Sequence, residues 1–276
     1  MTAIDASGHG RCDNQAEDAL MSVRITHEDA VAVVTLDRVE ALNALNEELI
    51  REIGDAIDAV ARYRARAIVF VGEGRKAFCA GADIKEIQGR SPQEMREAAT
   101  FGQQTFAKLD ALAVPSIAVL QGFTLGGGLE LALACTFRVA YGEIKIGLPE
   151  IKLGLIPGYG GTQRLPRIVG PARALDIILS GRMIHTEEAE RIGLVNAVEQ
   201  GADSREVGVR YAQRFTGHSG GALLNARKAI AAAMETPLAS GLEIEANLLA
   251  EVFGSQDARE GMSAFVEKRP ARFNQS

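Results

Sequence analysis

Residues 117–135 constrain this chain more than any other stretch. The apolar run 117–120 leads through Gln121-Gly122-Phe123-Thr124-Leu125 into Gly126, Gly127 and Gly128, and then into Leu129-Glu130-Leu131-Ala132-Leu133-Ala134-Cys135. The pattern predicts a buried strand, a glycine turn and a small-residue helix. Glycines open backbone torsions closed to other residues and let a ligand approach the main chain closely. A helix start leaves N–H groups unpaired and carries a partial positive charge. The joint therefore predicts an anion or oxyanion site, with the carboxylate of Glu130 beside it.

The flanking pattern sets that joint in an α/β core. Residues 23–25 and 31–36 are apolar and β-branched and predict a hairpin around Thr26-His27-Glu28-Asp29. Asn46 caps an amphipathic helix running to Tyr63, with Leu49, Ile50, Ile53, Ile57 and Val60 on one face. Residues 67–71 form a second buried strand, followed by a small-residue and basic loop, 72–85, at a strand end where α/β folds bind ligands. A helix follows over 92–112. Short strands are expected at 137–140, 145–147 and 194–198, with helices at 161–168, 171–179 and 186–192. A second Gly/Pro-rich turn region covers 148–151 and 154–162. Beyond residue 200 the pattern is helical throughout: 204–215, 220–234, 239–253 and 257–267. Strands alternating with helices and then helices alone describe an α/β core, 22–200, with a helical C-terminal region, 201–276. Residues 1–21, rich in Gly, Asp, Asn and Ala without an apolar period, predict a disordered tail.

Composition narrows the function. The net charge of −6 gives no global basic field for nucleic acid, and a local basic pocket for a phosphorylated ligand stays open. No apolar run reaches the ~18 residues that span a bilayer. Three cysteines, Cys12, Cys79 and Cys135, have no metal-type spacing, and their odd number argues against a disulfide framework. A reducing cytoplasm is the expected compartment.

Familiar motifs are missing. There is no Walker loop, no Gly-x-Gly-x-x-Gly after a strand, and no Gly-x-Ser-x-Gly elbow, so nucleotide, dinucleotide and serine-hydrolase chemistry are disfavoured. His9, His27, His185 and His218 all lie outside the glycine-rich segments. What remains is the glycine joint, the loop Ala80-Gly81-Ala82, and the carboxylates Glu130 and Glu150. Taken alone, Glu130 equally fits a dipole partner at a helix start, and Glu150 an exposed turn residue. Cys79 and Cys135 fit buried small apolar side chains.

Three blocks taken together resemble the enoyl-CoA hydratase (crotonase) family: Phe78-Cys79-Ala80-Gly81-Ala82-Asp83-Ile84-Lys85, then Gly126-Gly127-Gly128-Leu129-Glu130-Leu131-Ala132, then the run from Pro149-Glu150 through Gly158-Tyr159-Gly160-Gly161-Thr162 to Leu165. Residues 38–45 and 260–269 fit as well. The resemblance covers about 23–273.

The resemblance implies a spiral of ββα repeats with a C-terminal helical region that trimerises, a homotrimer or homohexamer, and an acyl-CoA substrate. It implies that the backbone N–H groups of Ala82 and Gly127 hold the thioester oxygen and that Glu130 and Glu150 are the catalytic pair. Ala80, Asp83, Ile84, Lys85, Gly126, Lys76 and Lys268 are implied to bind substrate, the lysines near the phosphates of coenzyme A. No metal and no cofactor beyond the coenzyme A of the substrate is implied. Two close carboxyls in an apolar pocket resist double ionisation, so one is expected to keep its proton, and Glu150 is the expected holder. Retention of both glutamates favours hydration of a trans-2-enoyl-CoA, as in β-oxidation. An enoyl-CoA isomerase or another crotonase reaction, and a non-catalytic CoA- or RNA-binding homologue, are the alternatives. Two residues depart from the family pattern. Leu148 stands where a polar residue often precedes Pro-Glu and is expected to tune the acyl pocket, and Val39 stands where proline is common. Residues 88–104 are expected to line the acyl tunnel.

Overall fold

A computed structural model describes residues 22–273. The expected tail, 1–21, lies outside the described residues. The chain begins with β1 (Val23–Glu28) and β2 (Val31–Leu36), an antiparallel hairpin that turns at Asp29-Ala30. The turn is later and tighter than expected because Thr26, His27 and Glu28 pair with Val33, Ala32 and Val31 instead of looping. Helix α1 (Glu47–Arg62) follows, its first turn closed by Asn46, whose side chain accepts from the Leu49 N–H at 2.9 Å. Strand β3 (Ala67–Gly72) runs parallel to β2.

The expected loop 72–85 contains structure of its own: β4 (Ala77–Cys79) and the single-turn helix α2 (Ile84–Ile87). Helix α3 (Pro92–Ala111) starts in a Ser91/Glu94 capping box. It leads to β5 (Ser116–Leu125), then α4 (Gly127–Ala134), then β6 (Phe137–Gly147). Two short strands were expected in place of β6. They form one, because a register shift opposite 120–122 of β5 absorbs the polar residues between them. After α5 (Gly161–Val169) and α6 (Pro171–Ser180) come β7 (Ile184–His185), α7 (Thr186–Arg191) and β8 (Ala197–Glu199).

The strand order is β1-β2-β3-β5-β6-β7, with β4 on β5 and β8 on β6. The central pairs β2/β3, β3/β5 and β5/β6 are parallel. Both faces are covered, so the central strands are nearly continuous apolar runs. Alternation still sorts them. Val33, Val69 and Val119 face helix α8 (Ser204–Thr216), where Gly208 lies so close that a Cβ would stand 2.3 Å from Val69 Cγ1. Val34, Phe70 and Leu120 face the opposite core with Leu49 and Ile53 of α1 and Phe106 of α3. Helix α8, although within 201–276, packs on the sheet.

Helices α9 (Gly220–Ala233), α10 (Leu238–Phe253) and α11 (Gln256–Glu267) complete the chain. Helix α10 buries none of its residues, and Leu238, Leu249, Phe253, Phe265 and Val266 stand exposed. No helix among the described residues is long and apolar enough to cross a membrane.

Candidate active site

Strand β5 delivers the glycine joint from the centre of the sheet. Gly126, at φ 49°, turns the chain from β5 into α4, a torsion that favours glycine. Gly128 needs its missing side chain for space: a Cβ there would lie 2.3 Å from the Cys79 carbonyl oxygen. The Ala80-Gly81-Ala82 loop comes off β4 and lies against the joint, with a Gly126 Cβ position only 3.6 Å from Gly81 Cα. The loop is tied to the chain before α1, since Leu45 N donates to Gly81 O at 2.7 Å and Asp83 N donates to Leu45 O at 2.8 Å. These bonds fall on either side of Ala82, whose own N–H donates to no main-chain acceptor in the described residues. Gly127 is the first residue of α4, so its N–H lacks an intrahelical acceptor. The two segments that sequence alone linked only by resemblance are thus in contact.

Both glutamates open onto the same cavity of about 170 Å³. Glu130 is 1% exposed on α4. Its Oε1 accepts from the backbone N–H groups of Tyr159 at 2.8 Å and Gly161 at 2.7 Å, supplied by the Gly/Pro turn before α5. Glu150 sits in a 3-10 turn, Pro149–Leu153, half-buried, with its Oε2 buried and without a hydrogen-bond partner. A Cβ on Gly126 would stand 2.8 Å from Glu150 Oε1, so the glycine also makes room for that carboxyl.

Burial pushes the Glu130 carboxyl up to about 7; the Gly161 N–H pulls against this, and the charge of Glu150 adds to it. Burial raises Glu150 as well. The sequence argument put the retained proton on Glu150. Both carboxyls are lifted, and Glu130, the deeper one, is the group that reaches about 7.

The rest of the lining is mostly apolar, small residues at the two glycine turns and larger ones around them. Ala80, Ala82, Ile84, Gly126 and Gly127 all face the cavity. The segment 88–104 contributes Met95. Asp83 does not face it: the side chain caps α2 through the Lys85 N–H and pairs with Arg38 at 3.3 Å. Lys76, Lys85 and Lys268 are exposed and outside the lining. Leu148 is fully buried beneath Gly161 instead of lining the pocket, and Val39 is exposed beside Gly74. Among the described residues no group of three His, Cys, Asp or Glu side chains is placed to hold a metal ion.

Tyr159 and Ile87 line the cavity without having been singled out from the sequence. The Tyr159 ring is wedged between Gly102 of α3, where a Cβ would be 2.5 Å from Cδ1, and Gly127, where it would be 3.1 Å from Cδ2. It meets Phe106 edge-on at 5.9 Å. Gly102, a glycine in the interior of a helix, was the available signal, because such a residue asks for a close neighbour.

The overall fold agrees with that of solved relatives. The chain superposes with a TM-score of 0.87 on an enoyl-CoA hydratase from Bacillus anthracis, 34% identical, covering 92% of this chain and all of the other. The fold is that of the crotonases. The family model for enoyl-CoA hydratase/isomerase matches residues 26–276. A crotonyl-CoA hydratase of Syntrophomonas wolfei is 41% identical over 256 residues, 92% of this chain and 98% of that protein. A short-chain-enoyl-CoA hydratase of Clostridium acetobutylicum is 37% identical over 91% of this chain and 96% of its own length. The chain belongs to the enoyl-CoA hydratase/isomerase family.

Proposed function

We propose that the protein is an enoyl-CoA hydratase that adds water reversibly to trans-2-enoyl-CoA and gives 3-hydroxyacyl-CoA. The observation that carries this is the pair of glutamates opening onto one apolar cavity, with one oxygen of Glu130 pinned by two backbone N–H groups. The pinned carboxyl keeps its other oxygen for a water. The thioester carbonyl lies between the N–H groups of Ala82 and Gly127. In the fraction of sites that hold the proton on Glu150, ionised Glu130 takes a proton from the water as the water oxygen bonds to the β-carbon. Electrons move onto the carbonyl as an enolate, which the two N–H groups stabilise; such donors typically contribute ~3–4 kcal/mol each. Glu150 then gives its proton to the α-carbon, and a proton passing from Glu130 to Glu150 resets the pair. A base near 7 is matched to this work at neutral pH.

The wider site follows the same reading. Exposed Lys76 and Lys85, on the loop and helix that carry the lining residues Ala80, Gly81, Ala82 and Ile84, meet the phosphates of coenzyme A, with Lys268 contributed from the C-terminal region; Asp83 acts through the α2 cap. The mechanism calls for no group beyond the coenzyme A of the substrate. A homotrimer or homohexamer covers the exposed apolar side chains of α10 and α11. The free thiols of Cys79 and Cys135 suit a reducing cytoplasm.

The test is loss of crotonyl-CoA absorbance with wild type, Glu130→Gln and Glu150→Gln. Wild type is expected to hydrate, and each variant to lose at least ~100-fold in kcat, the scale of general acid–base catalysis. Wild type that isomerises a 3-enoyl-CoA but leaves crotonyl-CoA untouched would refute the hydratase reading. Full rates in both variants would refute the roles of the two glutamates.

A further inference from the structure

Behind the active-site cavity lies a second, smaller one, and the only residues that line both are Ile87 and Tyr159. The second cavity is about 10 Å³, roughly the room of one water. Glu47, Arg90, Ala98 and Phe101 continue from it into an open hollow of about 420 Å³ at the surface. Arg90 spans this route, paired with Glu86 at 2.8 Å and with Glu47 at 3.4 Å. Three hollows thus follow one another from the two glutamates toward the surface, and one ring and one aliphatic side chain stand between the first two.

The ring is fixed there. Its own backbone N–H donates to Glu130 at 2.8 Å, which ties the residue to that carboxyl. Gly127 and Gly102 flank the ring, and Phe106 meets its edge. Glycine is a poor helix former, and its presence inside α3 makes the slot that the ring fills. Of the other large apolar lining residues, Ile84, Leu153, Leu155 and Ile156 are exposed, and Met95 and Leu125 are half-buried.

We propose that the Tyr159 ring, backed by Ile87, is the floor of the acyl pocket and confines the substrate to short acyl chains. This rests on the hydratase reading, since it takes the acyl chain to pass the two glutamates toward the ring. A longer chain meets the ring face and has no way into the space behind. Truncating the ring joins the two cavities and opens the pocket toward the Arg90 hollow.

The experiment compares kcat/KM for crotonyl-CoA and trans-2-decenoyl-CoA in wild type, Tyr159→Ala, Tyr159→Phe and Ile87→Ala. Wild type is expected to favour crotonyl-CoA. In Tyr159→Ala the decenoyl-to-crotonyl ratio rises at least about tenfold, since each methylene newly buried contributes about fourfold. Ile87→Ala moves the ratio the same way, and it carries the test if Tyr159→Ala does not fold. Tyr159→Phe leaves the ratio close to that of wild type, because the ring and not its hydroxyl closes the pocket. Wild type handling both substrates equally, or a ratio unmoved in the alanine variants, would overturn the proposal. If wild type hydrates neither substrate the hydratase reading fails, and calorimetry with butyryl-CoA and decanoyl-CoA then decides the length limit alone. Tighter butyryl-CoA binding in wild type, relaxed in the alanine variants, supports the floor; equal binding of the two rejects it.

Discussion

Replacing Glu130 by Gln should make the protein more stable at alkaline pH while it stops hydration. In the folded chain the carboxyl is 1% exposed and sits near 7 instead of its ordinary 4.5. A carboxyl lifted on folding holds a proton that the unfolded chain gives up between those two values. Wild-type stability therefore falls as pH rises through this window, and the whole penalty is present above it. At 1.36 kcal/mol per pH unit the lift corresponds to about 3 kcal/mol. Glutamine keeps an oxygen for the Tyr159 and Gly161 N–H groups and never ionises. Urea unfolding at one fixed protein concentration is the assay. At pH 8.5 Glu130→Gln is expected to exceed wild type by about 2–3 kcal/mol, and at pH 5, near the foot of the window, by less than about 1 kcal/mol. An equal difference at both pH values, or destabilisation at both, would refute the claim that ionising Glu130 is what costs stability.

Two further outcomes follow from packing. Gly128→Ala places a Cβ 2.3 Å from the Cys79 carbonyl oxygen and 2.6 Å from its Cβ. Both neighbours are held in the sheet, so denaturant melts should show a loss of about 3 kcal/mol or more; a loss under ~1 kcal/mol would mean that β4 yields easily. Light scattering should give three or six times the 29.4 kDa chain mass. In Leu249→Glu combined with Phe253→Glu, charges on the exposed face of α10 should lower that mass, and an unchanged mass would clear α10 of any part in assembly.

Much of this molecule was legible in the sequence where one signal acted alone. Asn46 ahead of an apolar period marked α1, and β2, β3 and the first half of β5 announced themselves as apolar runs. What misled was chain whose conformation is set by a neighbour. Ala77–Cys79 is too short to read as a strand and becomes one only beside β5. Residues 141–144, with Gly142 and Glu143 at their centre, read as a break between strands, yet the bulge against β5 carries β6 straight through them. In the site, the sequence singled out Glu130, Glu150 and the two glycine turns, because these residue types are unusual in their settings. It did not disclose that the Tyr159 and Gly161 N–H groups grip Glu130, since backbone donors carry no residue signature. Nor did it show which carboxyl lies deeper, a matter of how α4 packs under the turn before α5.

The two main-chain donors beside the glycine turns have no pKa. Ala82 and Gly127 offer the same N–H dipoles in acid and in base, held by contacts between backbone and backbone. The carboxyl groups that open onto the cavity are those of the two glutamates, and burial pushes the Tyr159 phenol, which shares the lining, up to about 12. Acidity therefore acts on this centre through its carboxyl groups and leaves these main-chain dipoles unchanged.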